Sequence, residues 1–531
     1  MCRAGTRLLG SVLLRKLEGY KVVLTADRTL MADYSLLFDG MLAASQTTTA
    51  PPGLVGPLVM PRARGDSVRA RVAPMGLRRI EAALAAGGFG PEDVAVVDCA
   101  HLRDAIGPAT RIVGVSSGEP AGLGMNTSTM TAIAGGRIYP EVMFRKLMKE
   151  VRRLVGGRAP SAKVVLGGPG AWQLAGDGSH RDMGVDHVVT GYAEGNIAAI
   201  FDGILRGEPT PQVIQGQGPP AAEIPRIRAA GTMGVVEISR GCGLGCSFCT
   251  IARIPMIHLP EETIIADVKT NVAAGKGNIA ALSEDLFRYG ASGQAVDPLA
   301  VISLLRLIRE VEGLRLIQID HANILSASRF SDDELQAVRE LLVGPTGCRY
   351  PWVNIGVETA AGRLLQTNGG GAKMGDRPPD DWGAFCAEQL RRLCRAGFFP
   401  MVSLLIGLPG ESEEDVRASL AWVEALRDER ISIFPMLYAP VDGGPAPDPR
   451  DLGSLHWRLI KACYRLNFRW VPRMYWDNQT AAGVGLPWRC LLQALGQCQA
   501  FQWKALLAWR SFNAKHKMQN TQCKIPEPVI K

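Results

Sequence analysis

Short apolar runs alternate with amphipathic stretches along most of this chain, and that alternation limits the folds it can adopt. In the first part, the runs 20–26, 94–98 and 111–117 have the length and the branched residues of buried strands. The stretches 76–88 and 140–157 show helical spacing and end in glycine. Strands that alternate with helices form parallel sheets. The sequence therefore predicts an α/β fold that begins with a doubly wound parallel sheet.

Small and polar residues follow the later strands of this first series. In an open parallel sheet, ligands bind at the carboxyl ends of the strands, where these residues would lie. Glycines at such turns let a ligand come close to the backbone. The candidate ligand-binding residues are Ser116, Ser117, Gly167, Gly168, Thr190, Gly191, Tyr192 and Glu194.

A second series of strands and helices begins near residue 233. It follows a Pro-, Gly- and Gln-rich stretch, 206–227, which is typical of a linker. Six such units predict a partial βα barrel, whose chemistry belongs at the carboxyl ends of its strands. The six predicted strands are 233–239, 277–285, 314–324, 352–359, 398–410 and 431–440.

The chain after about residue 445 has a different character. It is basic, rich in tryptophan and helical in its spacing. It suits either a packing helix pair that closes the barrel mouth, which we favour, or a surface for a peptide or protein substrate. Its Trp and Arg residues do not form a nucleic-acid-binding pattern, so nucleic acid is not an expected partner. The predicted domains are an N-terminal extension (1–20), the sheet domain (21–205), a linker (206–230), the barrel (231–445) and a helical C-terminal domain (446–531).

Composition narrows the cellular setting. No run reaches the roughly 20 apolar residues that a membrane helix needs, so no membrane partner is expected. The first apolar run is interrupted by Arg15 and Lys16 and does not resemble a secretory signal. The 12 cysteines show no small disulfide framework. We therefore expect a cytoplasmic, reduced protein, in which clustered thiols bind metal.

One cluster of thiols directly follows the first strand of the second series. Cys242, Cys246 and Cys249 stand in the glycine-rich segment CGLGCSFC. Three thiolates can hold three irons of a 4Fe–4S cluster and leave the fourth iron open for a small molecule. Zinc sites normally show two ligand pairs, and no second Cys or His pair stands at zinc spacing. The sequence therefore predicts an iron–sulfur cluster with an open iron.

This loop resembles that of the radical S-adenosylmethionine (radical SAM) enzymes. The resemblance implies that the three cysteines hold a 4Fe–4S cluster and that SAM binds its open iron. With one electron from an external donor, cleavage of SAM would give a 5′-deoxyadenosyl radical. That radical abstracts a hydrogen atom from the substrate.

Three further segments in the same order resemble the SAM-binding motifs of that family. They are SEDLFRYG at 283–290, NIGVET at 354–359 and LIGLPGESEED at 405–415. The first departs from the commoner Gly-Gly-Glu form, so any of Ser283, Glu284 and Asp285 could be the residue that contacts the SAM amino group. The resemblance implies SAM contacts at Ser283, Glu284, Asp285, Glu358, Gly407 and Pro409.

The first series resembles the cobalamin-binding domain that precedes the radical SAM core in one branch of these enzymes. VVLGGPGA and VVTGYAEGN resemble its two glycine turns. The resemblance implies a Rossmann-like cobalamin domain over 21–205 with the eight residues named above as its site. The Asp-x-His-x-x-Gly element that supplies an imidazole to cobalt is absent, which leaves the axial ligand open. The run VVLTADRTLMADY is similar to the archaeal glutamine C-methyltransferases that modify methyl-coenzyme M reductase.

Together these resemblances imply a methyltransferase. It would methylate an unactivated carbon of a peptide, protein or small molecule, using the 5′-deoxyadenosyl radical and methylcobalamin. One alternative is a cobalamin-using radical SAM enzyme that cyclises or rearranges its substrate. The other is a methylthiotransferase-type enzyme without cobalamin. That class carries a second three-cysteine cluster, whereas only Cys2 and Cys99 precede Cys242 here.

Overall fold

The computed structural model describes residues 18–63, 65, 67–176, 178–441 and 448–522, with 514–522 as backbone only. Most of the predicted N-terminal extension therefore lies outside the described residues. The rest forms two α/β units followed by a pair of long helices. The expected combination of parallel sheets is confirmed.

The first unit is built on a six-stranded parallel sheet with the order β2-β1-β3-β4-β5-β6. β1 pairs with β2 on one side and with β3 on the other, and both of these strands come after it in the chain. The strand order therefore reverses at β1. The last strand lies within the stretch that we expected to be a linker, and it pairs with β5. The strands are β1 Val22–Ala26, β2 Val94–Val96, β3 Ile112–Ser116, β4 Lys163–Gly167, β5 His187–Thr190 and β6 Val213–Gln215.

Helices cover both faces of this sheet. One face packs on α7, whose Phe144 and Val151 are fully buried against Val113. The other face packs on α4 and α9, the latter through Phe201. The helices of this unit are α1 Arg28–Met31, α2 Leu37–Ala44, α3 Pro52–Val59, α4 Met75–Ala86, α5 Leu102–Ala105, α6 Met125–Ala134, α7 Tyr139–Arg158, α8 Ser179–Asp182 and α9 Ile197–Leu205.

The second unit contains the six predicted strand regions, and they form a partial barrel of parallel strands. They pair in the orders β7-β10-β11 and β12-β13-β14-β15. The third region is split at Asp320 into β11 and β12, and this break joins the two groups. A short antiparallel ladder, β8 with β9, stands apart. The strands are β7 Val235–Glu237, β8 Ser239–Arg240, β9 Ile257–His258, β10 Asn278–Leu282, β11 Leu316–Ile319, β12 His321–Ala322, β13 Trp352–Glu358, β14 Phe399–Ile406 and β15 Ser432–Leu437.

Local sequence explains where the barrel helices begin. Ser331 and Ser412 cap their helices by accepting a backbone N–H three residues on, and the acidic residue at that position bonds back to the serine nitrogen. The helices are α10 Glu261–Ala273, α11 Pro298–Arg309, α12 Ile324–Ser328, α13 Asp332–Val343, α14 Gly362–Thr367, α15 Gly371–Met374, α16 Trp382–Arg395, α17 Glu413–Ala425, α18 Ser454–Ala481 and α19 Leu486–Gln522.

The two long C-terminal helices pack together on the flank of the barrel. Trp457 of α18 is buried in the barrel core, and Asn467 of the same helix bonds both backbone groups of Ile433 in β15. The tail thus has the packing role that we favoured, but it packs on the flank of the barrel beside β15. Within the part of the chain that the structure describes, none of the helices has the length and apolarity required to cross a bilayer.

The sheet unit also covers the last barrel strand. The backbone nitrogen of Leu437 in β15 donates to Thr129 Oγ1 of α6 at 2.8 Å, and Ile133 of the same helix is buried in the barrel core. A free strand edge exposes unpaired backbone groups. Thr129 of α6 accepts a hydrogen bond from one such group, the backbone N–H of Leu437. The two units therefore share one packed interface.

Candidate active site

The three cysteines lie in a loop that is closed at its base by the β8–β9 ladder. Arg240 pairs with Ile257 in this ladder, and the loop runs between them. Gly241, Gly243 and Gly245 all have positive φ angles, 75°, 71° and 77°. These angles lie in the left-handed region, which other residues enter at a cost. The glycines therefore permit a backbone path that brings three thiols onto one short turn.

Cys246 is buried, and Cys242 and Cys249 are partly buried. Burial raises the pKa of Cys242 and Cys249, and it raises the pKa of Cys246 to about 11. The cation of Lys373 lowers the pKa of all three thiols, and the cation of Arg288 lowers that of Cys242. Thiolate is the form that binds metal, so nearby positive charge favours the state that a ligand needs.

The donor set suits an iron–sulfur cluster rather than a single ion. No group of three or more His, Cys, Asp or Glu side chains in the described residues converges on one metal ion. In a cubane cluster each thiolate binds a different iron, so the sulfurs need not converge. Gly245 has open space where a Cβ would stand, which leaves room beside Cys246. The loop therefore fits the expected cluster.

The loop is anchored to the segment that follows β13. The nitrogen and hydroxyl of Ser247 donate to the carbonyl oxygen of Asn368 at 3.1 and 2.9 Å. Asn368 Nδ2 in turn donates to the carbonyl of Pro409 at 3.0 Å. Gly407, the other residue predicted in that turn, has φ 84° and donates its nitrogen to Glu411 at 2.9 Å. Pro409 thus supports the loop through its backbone carbonyl, whereas Gly407 stabilises its own turn.

The three candidates after β10 have different surroundings. Ser283 Oγ lies 2.6 Å from Ser239 Oγ. Asp285 is buried and accepts bonds from Asn323 N at 3.1 Å and Ser326 Oγ at 2.6 Å, and burial raises its pKa to about 6. Glu284 is only partly buried, and the described residues supply no hydrogen bond to its carboxylate. Of the three, Glu284 has its carboxylate free to bind a ligand.

Glu358 is held in a strained conformation at the end of β13. Its φ of 68° is positive, and the pairing of β13 with β14 shifts register between Gly356 and Glu358. Lys373 Nζ donates to one carboxylate oxygen, and Ser403 Oγ donates to the other at 3.1 Å. Strain of this kind persists only where surrounding contacts enforce it, and it is concentrated at functional sites.

Lys373 is a site residue that the motif analysis missed. Its side chain is buried, and although burial alone would lower its pKa, Glu358 and the thiols of Cys246 and Cys242 raise it. It follows the glycine run 369–371. Gly369 has φ 73°, and a Cβ there would lie 2.9 Å from the carbonyl of Gly245. The glycine run is the sequence feature that could have indicated that the backbone of this segment lies close to the cysteine loop.

His321 extends the charged lining at the barrel mouth. Its Nδ1 lies 3.1 Å from Asp320 Oδ2. The side chain is 47% exposed. Its partial burial would lower its pKa, but Asp320, Glu284 and Glu358 raise it to about 9. These carboxylates therefore favour the protonated form of the imidazole. A cation beside carboxylates at the end of a barrel strand can bind a polar or zwitterionic small molecule.

At the edge of the first sheet, the structure brings four predicted residues together. Ser116 and Gly167 end neighbouring strands, and Ser117 N donates to Gly167 O at 3.1 Å. Gly168 has φ 92°, and a Cβ there would lie 2.6 Å from Ser116 Oγ. Ser117 is fully buried, and its hydroxyl has no hydrogen-bond partner among the described residues.

The other four predicted edge residues lie at and just after the end of β5, and two of them, Tyr192 and Glu194, contact Arg240 at the base of the cysteine loop. Thr190 Oγ1 donates to Gln215 at 3.1 Å, and Gly191 has φ 80°. The ring of Tyr192 lies under the guanidinium of Arg240, 4.2 Å from its centroid. Arg240 also donates to one oxygen of Glu194 at 2.6 Å. The other oxygen of Glu194 is buried without a donor in the described chain.

Two unpartnered buried oxygens, on Ser117 and Glu194, thus lie at this edge. A buried polar atom without a partner is costly unless a ligand or water completes it. Amide N–H groups would complete both, and cobalamin carries many amide side chains. The edge therefore fits such a ligand. A separate cavity of about 680 Å³, lined in part by Arg28, Cys99 and Lys146, contains none of the eight predicted edge residues.

Comparison with known proteins identifies the chemistry of the barrel. Residues 236–423 match the family model described as the radical SAM superfamily. The ribosomal protein uS12 methylthiotransferase RimO of Trichlorobacter lovleyi is 25% identical over 262 residues, 46% of this chain and 53% of that protein. The tRNA-2-methylthio-N(6)-dimethylallyladenosine synthase of Corynebacterium urealyticum is 25% identical over 342 residues, 63% of this chain and 58% of that protein. The chain spans about half the length of the curated relatives it matches.

Two solved structures are similar to this one. The radical SAM methyltransferase TsrM from Kitasatospora setae aligns with a TM-score of 0.48 and 18% identity, covering 80% of this chain and 75% of that chain. Methylornithine synthase, PylB, aligns with a TM-score of 0.30 and 17% identity, covering 47% of this chain and 68% of that chain. The family match and the enzyme relatives together show that the chain is an enzyme with a radical SAM domain.

Proposed function

We propose that this enzyme uses a 4Fe–4S cluster, SAM and cobalamin to methylate an unactivated carbon of a peptide, protein or small molecule. The observation that carries the proposal is the contact between the carboxyl edge of the six-stranded sheet and the cysteine loop, made by Glu194 and Arg240. A cofactor held at that edge would lie beside the radical site. When bound, the cluster and SAM supply the radical, and cobalamin supplies the methyl group.

In this proposal the chain's own residues bind and orient the cofactors. Cys242, Cys246 and Cys249 hold the cluster, and Lys373 provides positive charge beside them. Glu284 and Glu358 line the SAM site. The edge residues, above all Ser117 and the free oxygen of Glu194, hold the amides of cobalamin.

The partners and the compartment follow from the same chemistry. Cleavage of SAM needs one electron, so an external low-potential donor must reach the cluster. A reducing cytoplasm suits free thiols and an exposed iron. The described cysteines outside the loop are free thiols, which is consistent with that setting.

A methylthiotransferase is the second candidate, because the named sequence relatives carry out that reaction. It would need no cobalamin and would carry a second cluster. Only Cys99 lies between residue 18 and the cysteine loop, and in the described chain it belongs to no group of three side chains that could hold a metal ion. That scarcity favours the first proposal.

The deciding experiment counts cofactors on protein purified and reconstituted without oxygen. The first proposal expects about four irons and one corrinoid per chain, whereas a second cluster raises iron to about eight. Replacing all three loop cysteines with alanine should abolish iron binding. The control variant, Cys386→Ala, removes a buried thiol outside the loop and should keep the iron. Iron without corrinoid, even with cobalamin in excess, would rule out the methyltransferase.

Product analysis then separates the reaction types. With SAM and a reductant, a methyltransferase of this class forms 5′-deoxyadenosine and S-adenosylhomocysteine together. A cyclase or rearrangement enzyme forms 5′-deoxyadenosine without S-adenosylhomocysteine. The absence of both products in protein that carries the cluster would overturn the proposal.

A further inference from the structure

Five charged side chains are buried where the sheet unit meets the cysteine loop, and we call them the charged joint. They come from α4, the turn after β5, β7, β8 and α10. None of their side chains is more than 8% exposed. Its members are Arg79, Glu194, Glu237, Arg240 and Asp267.

Arg240 connects the two halves of the joint. Its Nε and Nη2 donate to the two oxygens of Glu237 at 2.7 and 2.9 Å, which is a bidentate pair. Its Nη2 also donates to Glu194 at 2.6 Å, and the ring of Tyr192 lies against its plane. Glu237 belongs to the barrel, whereas Glu194 and Tyr192 belong to the sheet edge. One guanidinium therefore bridges both units.

Arg79 supports the same arrangement from the sheet unit. Its Nη2 lies 2.6 Å from Asp267 Oδ2, and its Nε donates to Glu237 at 3.4 Å. Glu237 is thus shared by two arginines. With three carboxylates and two guanidinium groups, the joint carries an excess negative charge. Loss of either arginine would leave carboxylates buried without a counter-charge, which is strongly unfavourable.

The joint reaches the cysteine loop through the backbone. Arg240 is the last residue of β8, and Cys242 lies only two residues beyond it. Cys242 N donates to Ile254 O at 3.0 Å, and Arg288 donates to Cys242 O at 2.8 Å. The backbone of Cys242 is therefore held on both sides. Arg240 is itself paired with Ile257 in the β8–β9 ladder, and its guanidinium contacts set where that ladder lies relative to the sheet unit.

We propose that Arg240 is a positioning residue that sets Cys242 relative to the sheet edge, with Glu194 as its anchor in the sheet unit. This role deepens the proposed function and rests on it, because Cys242 matters as a cluster ligand. It also gives Glu194 two tasks. One oxygen holds the cysteine loop, and the other stays available to a ligand at the edge. Occupancy of the edge and the geometry of the loop are then linked through one carboxylate.

Hydrogen exchange of the full-length protein without iron tests the inference directly. In Arg240→Gln, amides of the loop 241–256 should exchange about tenfold faster, because local opening becomes easier. Strands β3 and β4 should keep their protection. The matched control is Arg78→Gln, which removes an equally buried arginine whose partners are Glu81 and the carbonyls of Ala70 and Ala230. Equal loop exchange in the two variants would overturn the inference.

A second variant protects the test against simple misfolding. Glu194→Gln keeps the size of the side chain and removes the charge that Arg240 meets. It should reproduce the faster loop exchange, and the double variant should add little to either single change, because both remove one interaction. Additive effects, or unchanged loop exchange in Glu194→Gln, would contradict the proposed anchor.

The reconstituted protein supplies an independent readout. In Arg240→Gln the electron paramagnetic resonance spectrum of the reduced cluster should broaden, since Cys242 no longer has one position, and Arg240→Lys should restore it only in part. An unchanged spectrum would count against the inference. If the wild type itself takes up no iron, the proposed function fails, whereas the exchange experiment still decides the role of Arg240.

Discussion

The carbonyl oxygen of Asn368 accepts two hydrogen bonds from Ser247, one from its backbone nitrogen at 3.1 Å and one from its hydroxyl at 2.9 Å. The two residues belong to different parts of the barrel, and their contact fixes the centre of the cysteine loop. Asn368 is itself held by Pro409. The loop is thus supported by backbone contacts from two later turns as well as by its own glycines.

The first prediction concerns the glycine next to Asn368. Gly369→Ala should cost about 1–3 kcal/mol of stability, because alanine is strained at a positive φ. Its Cβ would also lie 2.9 Å from Gly245 O and displace the loop. We expect less iron per chain after reconstitution and desalting. Gly371→Ala is the control, since nothing lies within 4 Å of a Cβ there. Equal iron retention in both variants would show that the contact is dispensable.

A second prediction concerns the buried pair of Lys373 and Glu358. Lys373→Met should lower the free energy of unfolding by about 3–5 kcal/mol, because it leaves a buried carboxylate without its cation. Adding Glu358→Gln should recover much of that loss. Urea unfolding of the two single variants and the double variant measures the coupling. Simple addition of the two single effects would mean that the pair does not interact.

The third prediction is the pH dependence that Asp285 contributes. Burial raises its pKa to about 6, above its value in the unfolded chain. The protonated Asp285 side chain therefore contributes fully to the free energy of unfolding below about pH 4. This contribution is lost as the pH rises through 6. The free energy of unfolding of Asp285→Asn, measured relative to that of the wild type, should therefore be about 2–3 kcal/mol higher at pH 7 than at pH 4. Urea unfolding of both proteins without iron at the two pH values measures this, and a constant difference would contradict it.

The charge on His321 gives the fourth prediction. Its pKa of about 9 results from Asp320, Glu284 and Glu358, which outweigh the effect of burial. Nuclear magnetic resonance of the protein labelled at histidine should show one imidazole that titrates near pH 9. Asp320→Asn should move that titration to lower pH, because the largest favourable charge is removed. A resonance that stays near pH 9 in this variant would rule out Asp320 as the cause.

The sequence predicted the strands of both units well, because apolar runs of strand length alternate with helical patterns. The cysteine loop was equally clear, since three thiols and three glycines stand together directly after a strand. Lys373 and Asn368 were missed because their roles depend on a chain reversal that brings residues more than 100 positions apart into contact. No local sequence pattern indicates a contact between such distant segments, although the glycine run at 369–371 is consistent with a close backbone contact.

Glu194 illustrates the opposite limit. Its motif predicted a cofactor contact at the sheet edge, and the structure does place it at that edge. Its nearest charged partner, however, is Arg240, 46 residues later in the chain. Sequence spacing alone does not identify which cation a buried carboxylate will meet. The same applies to β6, whose three residues became a strand only because β5 offered a free edge.

The contact between Ser247 and Asn368 also has a consequence for synthesis. The two residues are 121 positions apart, so the ribosome completes the cysteine loop well before its anchor exists. At about 5–20 residues per second, that interval lasts roughly 6–24 seconds. During that time the three thiols belong to a nascent chain without a formed cradle. Iron loading in the anchored loop therefore requires that the chain has been made beyond residue 368, and we expect a truncated product that ends before this residue to retain less metal.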